Sequence, residues 1–384
     1  MKFVKARLWS LRIPFQLPFV HSLKRREFSD SVVVAITTDS GVTGFGEGAP
    51  RPYVTGETSA SCSDHIRKVL LPAIHPMELP DKCSQADLAV LLSSISTSLP
   101  ATGNGPVVAF HAAKCAVELA IVDCLLQYYN IAAGEVWRAA TTTVIYSAVI
   151  GAGPLAAVER LARQCREAQI KQVKVKVGDG DDFARVAAVR SILGDDASIR
   201  VDANGALDLA AAVSLAKALE PLKVDCIEQP LPRGDISAWA ELRRRSGMPV
   251  MADESLVTAE DADQLIEQQA CDFFNLRISK NGGMCDTLGL AAKARQAGIG
   301  FQLGCQVGET SILSAAGRHL AAHLWDLRYV EGSYGPRLLE EDISEDAVSF
   351  GRGGAAPLLT GRGLGVTIRE DLLAKHSGTV TETL

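Results

Sequence analysis

Three acidic segments, Val201-Asp202-Ala203-Asn204-Gly205, Ile227-Glu228-Gln229-Pro230 and Met251-Ala252-Asp253-Glu254-Ser255, recur about 25 residues apart, each closing an apolar run of strand character. A βα unit takes about 20 to 30 residues, so a carboxylate at the same point of three successive units stands beside its neighbours at the C-terminal rim of a parallel barrel. One Asp after a strand would more simply cap the following helix. Three in phase favour a shared site, and hard oxygen donors grouped in this way suit Mg²⁺.

A fourth element precedes them. In Gln172-Val173-Lys174-Val175-Lys176-Val177-Gly178, alternation sends Lys174 and Lys176 to one face and the three valines to the other. Alternating lysines usually mark a solvated face. Among strands of the buried parallel type that face is the barrel interior, where an ammonium needs a partner or a task.

The 384 residues exceed the about 250 that a barrel requires, which leaves room for a second domain. Residues 1–50 read as β structure, with strands at Phe3 to Leu11, Asp30 to Thr38 and Gly44 to Gly48, and 57–135 turn helical, most clearly from Val107 to Leu126. From about 143 onward strand and helix signals alternate, with strands near 144–150, 172–178, 198–204, 224–230, 248–253, 272–279, 299–306 and 327–332. The expected architecture is α/β: a modified (β/α)7-8 TIM barrel over 136–340, an α+β N-terminal domain over 1–135, and a C-terminal segment over 341–384. Within that last segment Gly363-Leu364-Gly365-Val366-Thr367-Ile368 reads as a strand returning to the N-terminal domain.

The formal charge of -6 and the lack of any basic run with interleaved aromatics argue against a nucleic-acid partner. No stretch of about 18 apolar residues and no secretory leader pattern occur, so a cytoplasmic protein without a membrane partner is expected. Nine cysteines without a C-x-x-C pair read as free thiols in a reducing compartment. Gly44-x-Gly46-x-Gly48 reads as a tight hairpin turn instead of a phosphate loop, and His319 with His323 as packing or surface residues instead of a zinc pair.

In their order, Lys174-x-Lys176, Asp202-x-Asn204, Glu228-Gln229-Pro230 and Ala252-Asp253-Glu254-Ser255 resemble the enolase superfamily, and specifically its muconate lactonizing enzyme subgroup. The likeness runs nearly full length, through Asp39 to Glu47, Ala116 to Ala120 and the Gly-Leu-Gly-Val near the C-terminus. It implies a capping domain over a barrel, Mg²⁺ held by Asp202, Glu228 and Asp253, and abstraction of a proton α to a carboxylate to give an enediolate. Lys176 would be the base, its pKa lowered by burial, by the ion and by Lys174, while Lys174 stays charged against a carboxylate oxygen. Asn204 would support the metal site or simply shape the turn before Gly205. Family members commonly assemble as homo-oligomers, which is the expectation here as well.

The pattern breaks at one position. The subgroup places a second catalytic lysine about 24 residues after the third ligand, in an Asn-x-Lys setting, and here that residue is Arg277. Alternation turns Asn275, Arg277 and Ser279 inward and leaves Lys280 out of phase unless the strand end bends. An arginine keeps its proton far above neutral pH, which makes it a poor base and a good fixed cation. The resemblance thus points to a one-base reaction on a small carboxylate, cycloisomerisation or syn elimination. A racemase or epimerase of an N-acyl amino acid or dipeptide is the alternative, and a noncatalytic metal- and carboxylate-binding homologue is a rival of another class. Glu309 matches a family glutamate and would touch substrate or a lysine, or else simply place a negative charge at the N-terminus of the following helix. Substrate selection would fall to the loops Pro18 to Leu23, with His21, and Pro50 to Gly56, with Tyr53 and with Arg51 either clamping a distal carboxylate or simply solvated.

Overall fold

Runs such as Val173-x-Val175 and Ile199-x-Val201 bury both faces, which suits parallel strands with helices on one side and a packed interior on the other. In the computed structural model, which describes residues 1–21, 24–378 and 381–383, they form a seven-stranded parallel sheet. In chain order its strands are Ala148–Ile150, Gln172–Lys176, Ser198–Asp202, Ile227–Glu228, Val250–Ala252, Phe273–Leu276 and Gly300–Leu303. Each pairs with the next, and helices such as Asp182–Leu193, Leu209–Leu219 and Met284–Gln296 connect them. Val330 closes the ring: it bridges Leu303 in parallel, and its carbonyl accepts from Ser147 N at 2.8 Å. The barrel is an eight-position ring in which the second and sixth strands face each other.

The N-terminal sheet is antiparallel, in the order Thr381–Thr383, Phe3–Ser10, Val32–Thr38, Thr43–Gly48. The helix His111–Tyr128 lies across it and buries fifteen of its eighteen residues. Gly44, Gly46 and Gly48 make that contact possible: a Cβ on Gly46 would stand 2.0 Å from the Ala116 carbonyl oxygen. The glycine repeat therefore flattens a strand for helix docking and does not close a turn, as the sequence had suggested.

Two further elements differ from the sequence reading. A hairpin, Ile13–His21 with Lys24–Ser29, stands where Pro14 and Pro18 obscure strand character. Gly363 to Ile368 does return to the N-terminal domain, where Gly363 bridges Ala132 and Leu364 N donates to Asp123 Oδ1 at 2.9 Å, but it forms no strand there; the strand that joins the N-terminal sheet is Thr381–Thr383, paired with Ala6 to Leu8. All nine cysteines are free, and six are buried. Among the described residues, no helix is long and apolar enough to cross a membrane.

Buried carboxylates from the N-terminal domain reach the starts of barrel helices. Glu47 accepts from Thr310 N (2.9 Å), Thr310 Oγ1 (2.7 Å) and Leu313 N (3.1 Å), at the start of the helix Ser311–His323. Glu118 accepts from Met284 N (2.6 Å) and Cys285 N (3.0 Å), at the start of Met284–Gln296. Both satisfy donors that a helix leaves open at its N-terminus, and burial holds both pKa values above the usual carboxylate range.

Candidate active site

Parallel register sets the site. Lys176 pairs with Asp202 and Asp202 with Glu228 on adjacent strands, and Asp253 follows directly after the next strand. Asp202, Glu228 and Asp253 are all fully buried. An uncompensated charge there would be prohibitive, and each carboxylate is met by a cation. Lys174 Nζ lies 3.2 Å from Asp202, 3.1 Å from Glu228 and 2.9 Å from Glu331. Lys176 Nζ donates to Asp202 Oδ2 at 2.6 Å and to Asn204 Oδ1 at 2.7 Å. Arg277 pairs directly with Asp253 and lies 3.8 Å from Glu228.

These contacts set the protonation states. Burial disfavours charge on Lys174, but Glu228, Glu331 and Asp202 outweigh it and hold its pKa above the ordinary value. Against the same burial, Lys176 and Lys174 pull Asp202 well below the usual carboxylate range. Glu331, despite burial, is drawn down to about 2 by Lys174 and Arg200. Glu309 goes the other way: burial pushes it up to about 8, against one hydrogen bond from Gln306 N and with Glu47 adding repulsion.

A cavity of about 220 Å³ opens over this cluster. Lys174, Lys176, Asn204, Arg277, Gln306 and Glu309 lie on its wall, together with Tyr53, Tyr334 and the exposed Arg337. Asn204 sits at φ 46 and joins Lys176 to Glu254, whose Oε1 accepts its amide at 3.0 Å. Both the turn and the site explain this asparagine.

Other sequence candidates fall elsewhere. The chain turns directly after Leu276, so Lys280 does point inward, but its ammonium is held by Asp253 Oδ1 (2.9 Å), Asp253 O (2.8 Å) and Asn275 O (2.7 Å), away from the cavity. Burial and neighbouring Arg277 hold its pKa well below the ordinary lysine value. Ser279 Oγ accepts from Ala49 N at 2.8 Å instead of facing the site. Arg51 is neither a solvated loop residue nor a clamp: it is fully buried, donates to Asp30 Oδ1 at 2.9 Å, and ties down the Val307 carbonyl of the cavity-lining loop. The His21 side chain, and with it much of the loop Pro18 to Leu23, lies outside the described residues.

Sequence reasoning missed Glu331 and Arg200. Glu331 takes Lys174 on one oxygen and Arg200 on the other, and Arg200 also lies over the Tyr329 ring at 4.3 Å. A lone acid after a weak eighth strand carries no motif; its in-phase position at the barrel rim was the available signal.

The donor set fits a hard divalent cation. Three fully buried carboxylates share one rim, and the buried Asn275 Oδ1, Gln302 Oε1 and Glu254 Oε2 have no hydrogen-bond partner. Among the described residues no three acids are close enough to form a ready-made cage, because Lys174 and Arg277 lie between them.

A barrel whose rim joins buried acids to cavity-facing lysines defines a class of enzyme suited to proton transfer on an anionic substrate. The enolase C-terminal domain-like family matches residues 157–372, and the chain belongs to the enolase superfamily, in its mandelate racemase and muconate lactonizing enzyme group. It is 31% identical to N-succinyl-L-Arg/Lys racemase of Bacillus cereus over 97% of both chains. The solved structure of that racemase superposes with a TM-score of 0.88 at 28% identity, covering 100% of each chain. Muconate lactonizing enzyme of Pseudomonas fluorescens, complexed with muconolactone, matches with a TM-score of 0.87 at 27% identity over 98% of this chain and 99% of that one. A dipeptide epimerase of Enterococcus faecalis, complexed with Mg and L-Leu-L-Tyr, matches with a TM-score of 0.83 at 26% identity over 96% and 100%.

Proposed function

We propose that this chain is a Mg²⁺-dependent racemase or epimerase that removes the proton α to the carboxylate of a small amino-acid derivative and returns it, with Lys176 as the acid–base residue. The observation that carries this reading is the placement of Lys176 on the cavity wall, beside the buried acids and within 2.7 Å of Asn204. The named activities of the relatives favour an N-acyl amino acid or dipeptide over a muconate-type substrate. Asp202, Glu228 and Asp253 would hold the ion, which when bound supplies positive charge against the charge that deprotonation adds to the substrate carboxylate. Binding requires Lys174 and Arg277 to withdraw from between the acids. Lys174, held cationic, then serves a carboxylate oxygen, and Tyr53 and Tyr334 help to keep water from the reacting carbon.

One observation favours a second reading. The sixth strand faces the second across the barrel and presents Arg277 where a racemase of this group has lysine. A guanidinium stays protonated near neutral pH and cannot serve as a second base, so cycloisomerisation or syn elimination with one lysine also fits. Glu309, whose carboxyl burial pushes up to about 8, lines the same cavity and is a further acid able to return a proton there.

Deuterium incorporation decides between them. N-acyl amino acids and dipeptides are incubated with Mg²⁺ in D₂O, using wild type, Lys176→Ala and Arg277→Ala. Exchange with inversion, lost in Lys176→Ala, supports the racemase; exchange without inversion supports the one-base reaction. Absence of both exchange and Mg²⁺ binding would refute each of them.

A further inference from the structure

Four cations line the cavity, and three of them are already matched. Lys174 is shared by Asp202, Glu228 and Glu331, Lys176 holds Asp202, and Arg277 holds Asp253. The fourth, Arg337, has no carboxylate partner among the described residues. It follows Pro336 in the short helix Gly335–Leu338, just beyond the eighth barrel position. Unlike the other three, which are buried, it is exposed and thus at the solvent end of the cavity.

The guanidinium is nonetheless held in place. Its carbon stands 4.1 Å from the centre of the Phe350 ring, and Nη2 donates to the Phe350 carbonyl at 2.6 Å. Phe350 is fixed in turn by rings on two sides, Tyr146 at 5.3 Å and Tyr334 at 5.4 Å. The arginine therefore gives up little freedom on meeting a ligand, and most of its five N–H donors remain available.

We propose that Arg337 is a specificity residue for a substrate with two anionic ends: one carboxylate at the lysines deep in the cavity, the other a distal carboxylate held by Arg337 at the mouth. The planar fork of an arginine matches a carboxylate with two parallel hydrogen bonds. The ligand class that follows is an α-substituted carboxylate whose far end carries a second carboxylate, such as an amino acid acylated by a dicarboxylic acid. This deepens the racemase reading and rests on it for the orientation of the substrate, but it can be tested without turnover.

The probes are N-succinylglycine and its near-isostere N-butyrylglycine, which lacks the distal charge. Binding of each is measured by calorimetry with Mg²⁺ present, for wild type, Arg337→Gln and Arg337→Lys. Wild type is expected to bind the succinyl compound about tenfold more tightly, as a charge-assisted pair implies. Arg337→Gln should erase that preference and leave butyryl binding within about twofold, while Arg337→Lys restores part of it. A purely structural role through Phe350 would weaken both probes alike, and that result overturns the proposal. So does equal binding of the two probes by wild type, or binding of neither. Exchange of the probe's α-proton in D₂O is recorded separately: Arg337-dependent binding without exchange would retain this inference and count against the racemase reading.

Discussion

Glu309 offers a measurement that needs no substrate. Burial raises its carboxyl from 4.5 to about 8, so between those values the folded protein keeps a proton that the unfolded chain releases. With one proton fewer on the unfolded state, stability falls as pH rises, by about 1.4 kcal/mol per unit. Over pH 5.0 to 7.5 the single group removes about 3 kcal/mol, a large share of the 5–15 kcal/mol typical of a folded domain. Glu309→Gln keeps an oxygen to accept from Gln306 N and cannot ionise. Urea unfolding of wild type and variant, followed by circular dichroism at half-unit pH steps without divalent cations, should give curves that meet near pH 5. They should then diverge by about 1.4 kcal/mol per unit, with the variant more stable. Glu57 and Asp123, raised by burial to about 7 and about 6, titrate in both proteins and cancel in the difference. Parallel curves across that range would refute the reasoning, because they would mean that Glu309 ionises in the folded protein as freely as in the unfolded chain.

Mg²⁺ should raise the unfolding midpoint of wild type, by about 2.7 kcal/mol of stability at a hundredfold excess over its dissociation constant, and Asp253→Asn should abolish both this gain and the calorimetric binding signal. Glu118→Ala leaves Met284 N and Cys285 N without an acceptor and should cost about 2–4 kcal/mol in thermal unfolding, with no new metal dependence. Gly46→Ala would drive a Cβ into the Ala116 carbonyl at 2.0 Å; soluble yield should collapse, and a soluble variant within about 1 kcal/mol of wild type would contradict the packing described.

The site's central residues were readable because each comes from a strand with a fixed period. Asp202, Glu228 and Asp253 share one phase, and Lys174 and Lys176 alternate with valines, so knowing one rim position gives the others. Residues beyond strand ends were less legible. Lys280 turns inward because the chain leaves the strand after Leu276, and periodicity stops at that point. Arg51 looked like a loop cation, since its partners Asp30 and Val307 are 21 and 256 positions away and nothing local signals the burial. Glu331 was hard to single out for the same reason, with Lys174 lying 157 residues earlier and only its phase at the barrel rim to mark it. The hairpin Ile13–His21 with Lys24–Ser29 escaped because prolines mask strand propensity, and the last strand because Thr381–Thr383 is too short to show a pattern.

The seating of Glu47 and Glu118 on barrel helices limits how such enzymes can be recombined. Single loops of the N-terminal domain can be transplanted one at a time, and a graft confined to them leaves the two carboxylates in place. A graft of the entire N-terminal domain carries acceptors for the starts of helices at Met284 and Ser311, and a donor whose acids sit one turn away would leave both helix ends bare. Chimeras among relatives should therefore succeed or fail according to whether these two contacts survive the junction, more than according to overall sequence identity.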